Sequence, residues 1–425
     1  MSTLNNPAEK TLTSPWWIPV GSCIALIVVN GSICVFSFGV FIKPLEAEFG
    51  WDRASISFGL TLCAFCAAIS LPIAGVLMDR FGVRPVMLTS IILFALNVAA
   101  VALSNVLAVF ILLVAATGIT GVGQGPIGYI KSISSYFDKR RGIAIGIAVS
   151  GTGLGTALLP QYAQWLITNM GWRMAYVGLA VALVVIAVPP VLLFVREPEN
   201  SSMARSRKRE SDVTAVLPGL SAREAFSSRN FWLLVGATIL VATVVNGSLV
   251  HVVSLLTDRG WSPEAAAGIM VWAGLASLAG RLVAGLMLDR LFAPYVAMLS
   301  FVVALAGVYL LASGANSTFG VIGIGLTTGA EIDIIGYMTS RYFGLRRFGQ
   351  LYGYLFGVFL IGAGIGPGVM GAVHTRLHSY DSAFYAFEIM LALAIFCMLF
   401  LGRYAYPVRE GEDLVDVPRS QLSDA

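Results

Sequence analysis

The sequence predicts an all-α integral membrane protein in which twelve transmembrane helices form two six-helix bundles related by pseudo-symmetry. Three observations lead to this fold class. The composition is unusually apolar, twelve separate stretches are long enough to cross a bilayer, and a set of short motifs occurs once in each half of the chain.

The composition is too apolar for a water-soluble globule. Of the 425 residues, 57% are hydrophobic and only 12% are charged, and the mean hydropathy is +0.82. A helix needs about 20 apolar residues to cross about 30 Å of hydrocarbon, and it satisfies its own backbone groups there. The lipid bilayer is therefore the first expected partner of this chain.

The apolar stretches fall into two groups of six. The first six spans are predicted at 17–42, 55–78, 85–104, 107–131, 142–167 and 171–195, and the second six at 230–256, 264–288, 293–313, 317–340, 349–373 and 382–404. The intervening segment is rich in charge and serine, which is typical of a loop. The predicted domains are an N-terminal bundle at 1–196, a cytoplasmic linker at 197–229, a C-terminal bundle at 230–405 and a cytoplasmic tail at 406–425.

The distribution of lysine and arginine predicts the orientation. With a cytoplasmic N-terminus, 20 of the 27 Lys and Arg residues fall in cytoplasmic segments and 5 fall in outer loops. Both termini are therefore predicted to be cytoplasmic, and the protein is predicted to lie in the cell (inner) membrane. The net charge of +4 follows from this topology and gives no reason to expect nucleic acid as a partner.

Several motifs repeat between the halves. The sequence VVNGS occurs in span one and again 216 positions later in span seven, and further pairs occur at offsets of 210 and 206. Those pairs are Gly50-Trp51 with Gly260-Trp261, Gly75 and Asp79-Arg80 with Gly285 and Asp289-Arg290, and Tyr136-Phe137 with Tyr342-Phe343. Because six is even, both halves enter the membrane in the same sense, so the repeat axis runs along the membrane normal.

Two of these motifs carry a family resemblance. The segment Gly75-Val-Leu-Met-Asp79-Arg80-Phe-Gly82-Val-Arg84 resembles the GxLxDRxGxR loop signature of the major facilitator superfamily, and the run from Tyr136 to Gly151 resembles that of the monocarboxylate and oxalate:formate porters. With the second motif copy and twelve spans, the resemblance extends over almost the entire chain. It implies the major facilitator fold and a monomer that carries a small molecule by alternating access.

The repeated acidic and basic loop residues are predicted gates. Asp79, Arg80, Asp289 and Arg290 lie at the cytoplasmic ends of spans two and eight. A carboxylate there can accept hydrogen bonds from a neighbouring helix N-terminus or pair with an arginine in one state and lose that contact in another. The alternative is that they are solvated turn residues.

Arg281 is the main candidate for substrate binding. It lies about five residues, or roughly 7 Å, from the centre of span eight, where a charge costs at least about 2.5–3.5 kcal/mol on insertion scales. Its planar guanidinium group can bind a carboxylate at two points. The alternatives are a side chain that reaches toward the interface and a purely structural ion pair. The resemblance supports substrate binding, because monocarboxylate porters carry a substrate-binding arginine in span eight of this pattern.

Proton coupling is assigned to span ten. The animal monocarboxylate porters have an aspartate one turn before the arginine, whereas this chain has Ser277. Glu331 and Asp333 lie at nearly the depth of Arg281, and residues two apart on a helix point about 200° away from each other. At most one of them can face the cavity squarely, and Glu331 is preferred. A structural hydrogen-bonded pair is the alternative.

Five further residues are predicted to contact substrate: His251, Asn30, Asn246, Tyr129 and Tyr337. Each carries a hydrogen-bonding group within a predicted span. Packing is the alternative for His251, and helix kinking or close helix packing is the alternative for the two Asn-Gly pairs.

Together these residues predict a secondary active transporter of a small organic anion, such as a monocarboxylate, by proton symport or anion exchange. The alternative is proton-coupled efflux of a lipophilic compound, because Gly353, Gly362 and Gly366-Pro367 resemble the antiporter motif of drug exporters. An enzyme is not expected, since the three histidines are scattered and the longest loop is about 34 residues. The five cysteines form no metal-binding pattern, so neither a metal nor a cofactor is predicted.

Overall fold

The computed structural model describes residues 15–137, 141–195, 219–344 and 346–404. The side chains of Asp79 and of residues 134, 135, 141 and 142 lie outside the description. Within the described residues, the chain forms helices and turns, with one isolated bridge between Gly219 and Gly344. Most of the predicted linker and the predicted tail lie outside these ranges.

The first six spans begin with a helix that is interrupted twice. The elements, in chain order, are α1 (Trp17–Ile27), a π-helix (Gly31–Phe36), α2 (Gly39–Phe49), α3 (Arg53–Phe81), α4 (Val83–Val101), α5 (Leu107–Thr120), a 3-10 turn (Val122–Gln124), α6 (Pro126–Tyr136) and α7 (Arg141–Phe194). Spans five and six both lie in α7, which is broken at Gly171, where φ is 82° and ψ is 164°.

The second half repeats this organisation with fewer interruptions. Its elements are α8 (Ala222–Ser227), α9 (Arg229–Asp258), α10 (Pro263–Gly268), α11 (Met270–Leu288), α12 (Ala293–Ser313), α13 (Ser317–Phe343), α14 (Phe348–Leu377) and α15 (Asp381–Leu399). Eleven segments of the described chain are long and apolar enough to cross a membrane, and the one at Ile143–Phe194 contains two predicted spans. Every predicted span therefore contains at least one helix.

The repeated Asn-Gly pair has different consequences in the two halves. The first α-helix ends at Ile27, before Asn30, and the π-helix begins at Gly31, so span one is not the continuous helix predicted over 17–42. The corresponding Asn246-Gly247 lies within the unbroken α9. The α-helix is therefore interrupted around the Asn-Gly pair of span one and continuous through that of span seven.

Contacts divide the chain into two compact units. Among the described residues, unit 1 contains 15–137, 141–195, 249–275 and 367–378, and unit 2 contains 219–248, 276–344, 346–366 and 379–404. Phe41, Phe94 and Phe110 are buried in unit 1, and Phe384 and Phe387 are buried in unit 2. The C-terminal part of α9 and the last turns of α14 thus pack with the first half of the sequence.

Candidate functional site

Arg281 lies beside Asp333 in unit 2. The Nη1 atom of Arg281, on α11, is 3.8 Å from Oδ1 of Asp333, on α13, and the two side chains are 20% and 35% exposed. This distance allows an ion pair but is longer than a hydrogen bond. In the described part of the chain, no other ion pair or side-chain hydrogen bond of Arg281 is found, so most of its donors remain available.

Two glycines hold α11 and α13 together next to this pair. A Cβ added to Gly280 would collide with the carbonyl oxygen of Leu326, and one added to Gly329 would collide with that of Ser277. The Gly329 position also lies close to the backbone nitrogen of Arg281. Since Asp333 is one turn after Gly329, it lies on the same face of α13 and is directed at α11.

Glu331 occupies a different face of α13. Glu331 is 4% exposed, and neither of its carboxyl oxygens has a hydrogen-bond partner among the described residues. Because Asp333 faces Arg281, Glu331 points to another side of the helix. The structure thus brings Asp333, and not the preferred Glu331, to the arginine.

Tyr352, on α14, lies close to the Arg281–Asp333 pair, whereas Tyr337, on α13, lies beside Arg341. A Cβ added to Gly336, one turn after Asp333, would lie 3.6 Å from Cε2 of Tyr352. Tyr352 is also near enough to interact electrostatically with both members of the pair. Tyr337 follows Asp333 by one helical turn, and its ring centroid is 5.8 Å from the guanidinium carbon of Arg341.

His251 lies in unit 1, in the part of α9 that packs with the first half of the sequence. It is fully buried, and its Nε2 atom is 3.1 Å from Oγ of Ser57 and 3.0 Å from the carbonyl oxygen of Pro367. A carbonyl oxygen only accepts, so Nε2 carries the hydrogen. These contacts favour the packing interpretation of His251 over direct anion binding.

An ion cluster lies next to His251 at the ends of α2, α3, α9 and α14. Arg53, which is 4% exposed, donates from Nη1 and Nη2 to the two carboxylate oxygens of Asp258, at 2.5 and 3.1 Å. Asp258 also lies 2.6 Å from Nζ of Lys43 and 3.7 Å from Nε2 of His374, and Glu46 accepts from Arg53 at 3.1 Å. Lys43 and Arg53 fall outside the predicted spans at 17–42 and 55–78, but both lie in helices.

Asp52 joins the end of α14 to the start of α3. Its carboxylate accepts from the backbone nitrogen of Ser55 at 2.9 Å and from Oγ1 of Thr375 at 3.3 Å. Partial burial raises the pKa of Asp52, but the hydrogen bonds from Ser55 and Thr375 outweigh it and bring the pKa below its ordinary value. The cap therefore stays ionised at neutral pH.

Of the remaining predicted contact residues, Tyr129 and Asn246 are buried and Asn30 is half-buried. In unit 1, Nδ2 of Asn30 is 3.4 Å from the carbonyl oxygen of Thr117, while Oδ1 has no partner in the described part of the chain, and Tyr129 is 1% exposed. In unit 2, Asn246 donates to the carbonyl oxygen of Ala242 at 3.0 Å. Contact of these three residues with a substrate stays a prediction.

Two glycines of the antiporter-like motif, Gly362 and Gly366, serve helix packing in unit 2. A Cβ at Gly362 would meet the carbonyl oxygen of Ile239 at 2.7 Å, and one at Gly366 would collide with that of Thr243. Gly247, in the repeated Asn-Gly pair, packs against Gly366 as well. Close approach of α9 and α14 accounts for these residues.

Comparison with known proteins decides the family. The sequence model described as Major Facilitator Superfamily matches residues 23–331. The chain belongs to the major facilitator superfamily. This superfamily consists of membrane transporters, so the chain is a multi-pass secondary transporter and not an enzyme, and its twelve spans form the major facilitator fold.

Individual members of the superfamily are similar over most of their length. Monocarboxylate transporter 13 of Bos taurus is 25% identical over 388 residues, which cover 89% of this chain and 88% of that protein. The gallate transporter of Pseudomonas putida is 25% identical over 408 residues, which cover 84% and 88%. The crystal structure of a D-xylose-proton symporter has a TM-score of 0.70 at 14% identity and covers 90% of this chain and 96% of that chain.

The superfamily loop motif is open to solvent in its second copy. Asp289 and Arg290 lie in an exposed turn after α11, and the structure gives their side chains no ion pair within the described residues. Arg80 is exposed next to Phe81, and the side chain of Asp79 lies outside the description. Asp289 and Arg290 therefore lie in a solvated turn in this structure, which is the alternative interpretation of the motif. Gating by Asp79, Arg80, Asp289 and Arg290 stays a prediction.

Sequence reasoning missed two features of this superfamily member. The ion cluster was missed because its residues come from distant parts of the chain, Arg53 and Asp258 being 205 positions apart. The sequence analysis also did not identify Arg341, which is a buried cation. It is 1% exposed, and its guanidinium carbon lies 4.3 Å from the ring centroid of Tyr404. A signal for Arg341 was present, since it is an arginine in the last turn of an apolar helix.

Proposed function

We propose that this chain carries a small organic carboxylate across the cell (inner) membrane by alternating access, with a proton or in exchange for another anion. The observation that carries the proposal is Arg281, a cation in a transmembrane helix whose nearest carboxylate is too distant for a hydrogen bond. A charge at this depth normally marks a substrate or ion pathway. Two of the similar proteins, monocarboxylate transporter 13 and the gallate transporter, are named after a carboxylate, which agrees with this chemistry.

Asp333 is the group that links the proton to the substrate in this proposal. An incoming carboxylate takes the free donors of Arg281 and competes with Asp333 for its positive charge. Two carboxylates near one guanidinium group repel each other, so Asp333 binds a proton as the substrate arrives. The anion and the proton are thereby taken up together.

The same proposal includes the predicted topology. Both termini and the 197–229 linker face the cytoplasm, the bundles correspond to 1–196 and 230–405, the tail to 406–425, and one monomer is sufficient for transport. Lys43, Arg53 and Asp258 then lie on the outer side. In this proposal the cluster holds the outer ends of α2, α3, α9 and α14 together in unit 1, and these ends form the outer entrance, which opens when the cluster separates.

An uptake screen tests the proposed function. Purified protein in proteoliposomes is given radiolabelled carboxylates, with and without an inwardly directed proton gradient. We expect at least one small carboxylate to accumulate when the gradient is applied and to exchange without it. Transport of lipophilic compounds only, with no carboxylate moved under either condition, would support the efflux alternative instead.

The outer ion cluster yields a separate prediction. Asp258→Asn removes the charge that Arg53 and Lys43 share, and breaking a buried charge pair costs about 2–5 kcal/mol. We therefore expect the outer entrance to open more often. The measurement is the rate at which a membrane-impermeant thiol reagent labels Ser57→Cys in a background without the five native cysteines. Ser57 lies one helical turn after Arg53 on α3. The labelling rate should rise about tenfold or more.

The control for this experiment is a different ion pair of unit 1. Arg173 contacts Glu48 at 2.5 Å, and both side chains are about 40% exposed. Arg173→Ala breaks this pair without touching Asp258, so it should leave the labelling rate unchanged. Equal labelling in Asp258→Asn and the parent would show that the cluster does not hold the entrance closed.

A further inference from the structure

The side of α14 next to the Arg281–Asp333 pair carries a ladder of aromatic rings. The rings belong to Phe348, Tyr352, Phe356 and Phe359, and we call them the α14 ladder. Successive ring centroids are 5.6, 5.9 and 5.5 Å apart, with interplanar angles of 13°, 26° and 25°. Spacings of four, four and three residues place all four on one helix face.

The α14 ladder is partly exposed, and open space lies beside it. All four ladder residues are intermediate in burial, so their rings are not enclosed by the core of unit 2. Gly353 and Gly357 flank the ladder one position after Tyr352 and Phe356, and a Cβ added to either would meet no atom within 4 Å. A planar group therefore has room next to these rings.

The ladder also meets the charged pair. The ring of Tyr352 lies against Gly336, one turn after Asp333, and Tyr352 interacts electrostatically with both Arg281 and Asp333. If the ladder faced the lipid, the neighbouring charges of Arg281 and Asp333 would be exposed to lipid as well, which is energetically costly. The arrangement is instead that of a site with a cation at one end and a wall of π-faces at the other.

We propose that the substrate of this site is an aromatic monocarboxylate, whose carboxylate binds Arg281 while its ring stacks on Tyr352 and Phe356. The inference rests on the proposed function, because it takes Arg281 as the carboxylate-binding residue. An offset-stacked or edge-on aromatic pair strengthens binding about 2- to 10-fold beyond the burial of its area. A saturated ring of similar size gains the burial alone, and a two-carbon acid gains neither.

Three ligands separate these contributions on the full-length protein. Benzoate carries an aromatic ring, cyclohexanecarboxylate carries a saturated ring, and acetate carries no ring. Binding of each to purified protein in nanodiscs is measured by calorimetry. We expect benzoate to bind about 2- to 10-fold tighter than cyclohexanecarboxylate, and both to bind tighter than acetate.

A ladder variant tests whether the preference comes from these rings. Phe356→Leu keeps an apolar side chain but removes the π-face, so benzoate should lose its advantage over cyclohexanecarboxylate while acetate binding stays the same. The control is Phe396→Leu on α15, where Phe396 is 55% exposed and pairs with Phe400 outside the ladder. This variant should keep the preference for benzoate.

The outcomes distinguish the inference from the function on which it rests. If the two ring acids bind equally to the parent protein, or if Phe356→Leu weakens all three acids by the same factor, the aromatic assignment is wrong and carboxylate transport still stands. If none of the three acids binds, the aromatic assignment is wrong, and the proposed function fails as well when the uptake screen finds no carboxylate. If Arg281→Ala binds the acids as the parent does, both fail.

Discussion

Arg281→Ala is expected to weaken carboxylate binding at least tenfold and nearly to abolish transport. The variant removes the cation that the proposed substrate needs, and losing one member of a buried, hydrogen-bonded charge pair costs about 2–5 kcal/mol. Arg281→Lys keeps the positive charge but loses the planar two-point donor group, so binding should weaken to a smaller extent. Affinity is measured by ligand binding to purified protein, and transport by uptake into proteoliposomes.

A neighbouring truncation serves as the control. Leu282 follows Arg281 on α11 and is 68% exposed, so Leu282→Ala shortens a side chain that lies outside the pair. This variant should bind and transport as the parent does. An Arg281→Ala protein that folds and accumulates a carboxylate with normal affinity would point to the structural-pair or interface-directed alternatives. Lipophilic efflux would then become the stronger hypothesis.

Asp333→Asn is expected to separate transport from its driving force. The asparagine side chain cannot exchange a proton, so accumulation driven by a proton gradient should fall to the level of equilibration. Binding at Arg281 does not need the Asp333 charge, so exchange of one anion for another should survive. Both are measured in proteoliposomes, with a proton gradient for the first and preloaded unlabelled substrate for the second.

Glu331→Gln is the matched variant on the same helix. No described side chain pairs with Glu331, so the exchange of its carboxyl group for an amide removes no ion pair. We expect this variant to keep proton-driven accumulation. The opposite result, with Glu331→Gln uncoupled and Asp333→Asn coupled, would restore the preference for Glu331 that the sequence alone suggested.

The fold could be predicted from the sequence because a bilayer leaves few choices. Any apolar stretch of about 20 residues must be a helix there, and this rule found all the spans. Where the backbone departs from an α-helix, the rule gave no information. The π-helix at Gly31–Phe36 and the 3-10 turn at Val122–Gln124 both lie in glycine-containing apolar sequence that reads as ordinary helix.

The candidate site was partly predictable for a similar reason. Arg281 and the two acids of span ten stand out because charges are rare in apolar helices. Which acid meets the arginine depends on the rotation of α13 about its axis. That rotation is set by the contact of Gly329 with the backbone of α11, a tertiary contact that no periodicity in either helix reveals.

The pairing of Arg281 with an acid on another helix also affects how the protein is made. Arg281 and Asp333 are 52 positions apart, so at about 5–20 residues per second the ribosome delivers the acid roughly 3 to 10 seconds after the arginine. A carrier with both charges one turn apart on span eight would insert them together. In this chain, span eight must enter the bilayer with an uncompensated cation. Apolar residues near Arg281 on α11, including Val283 and Leu286, have to supply the free energy for that step before Asp333 reaches the bilayer.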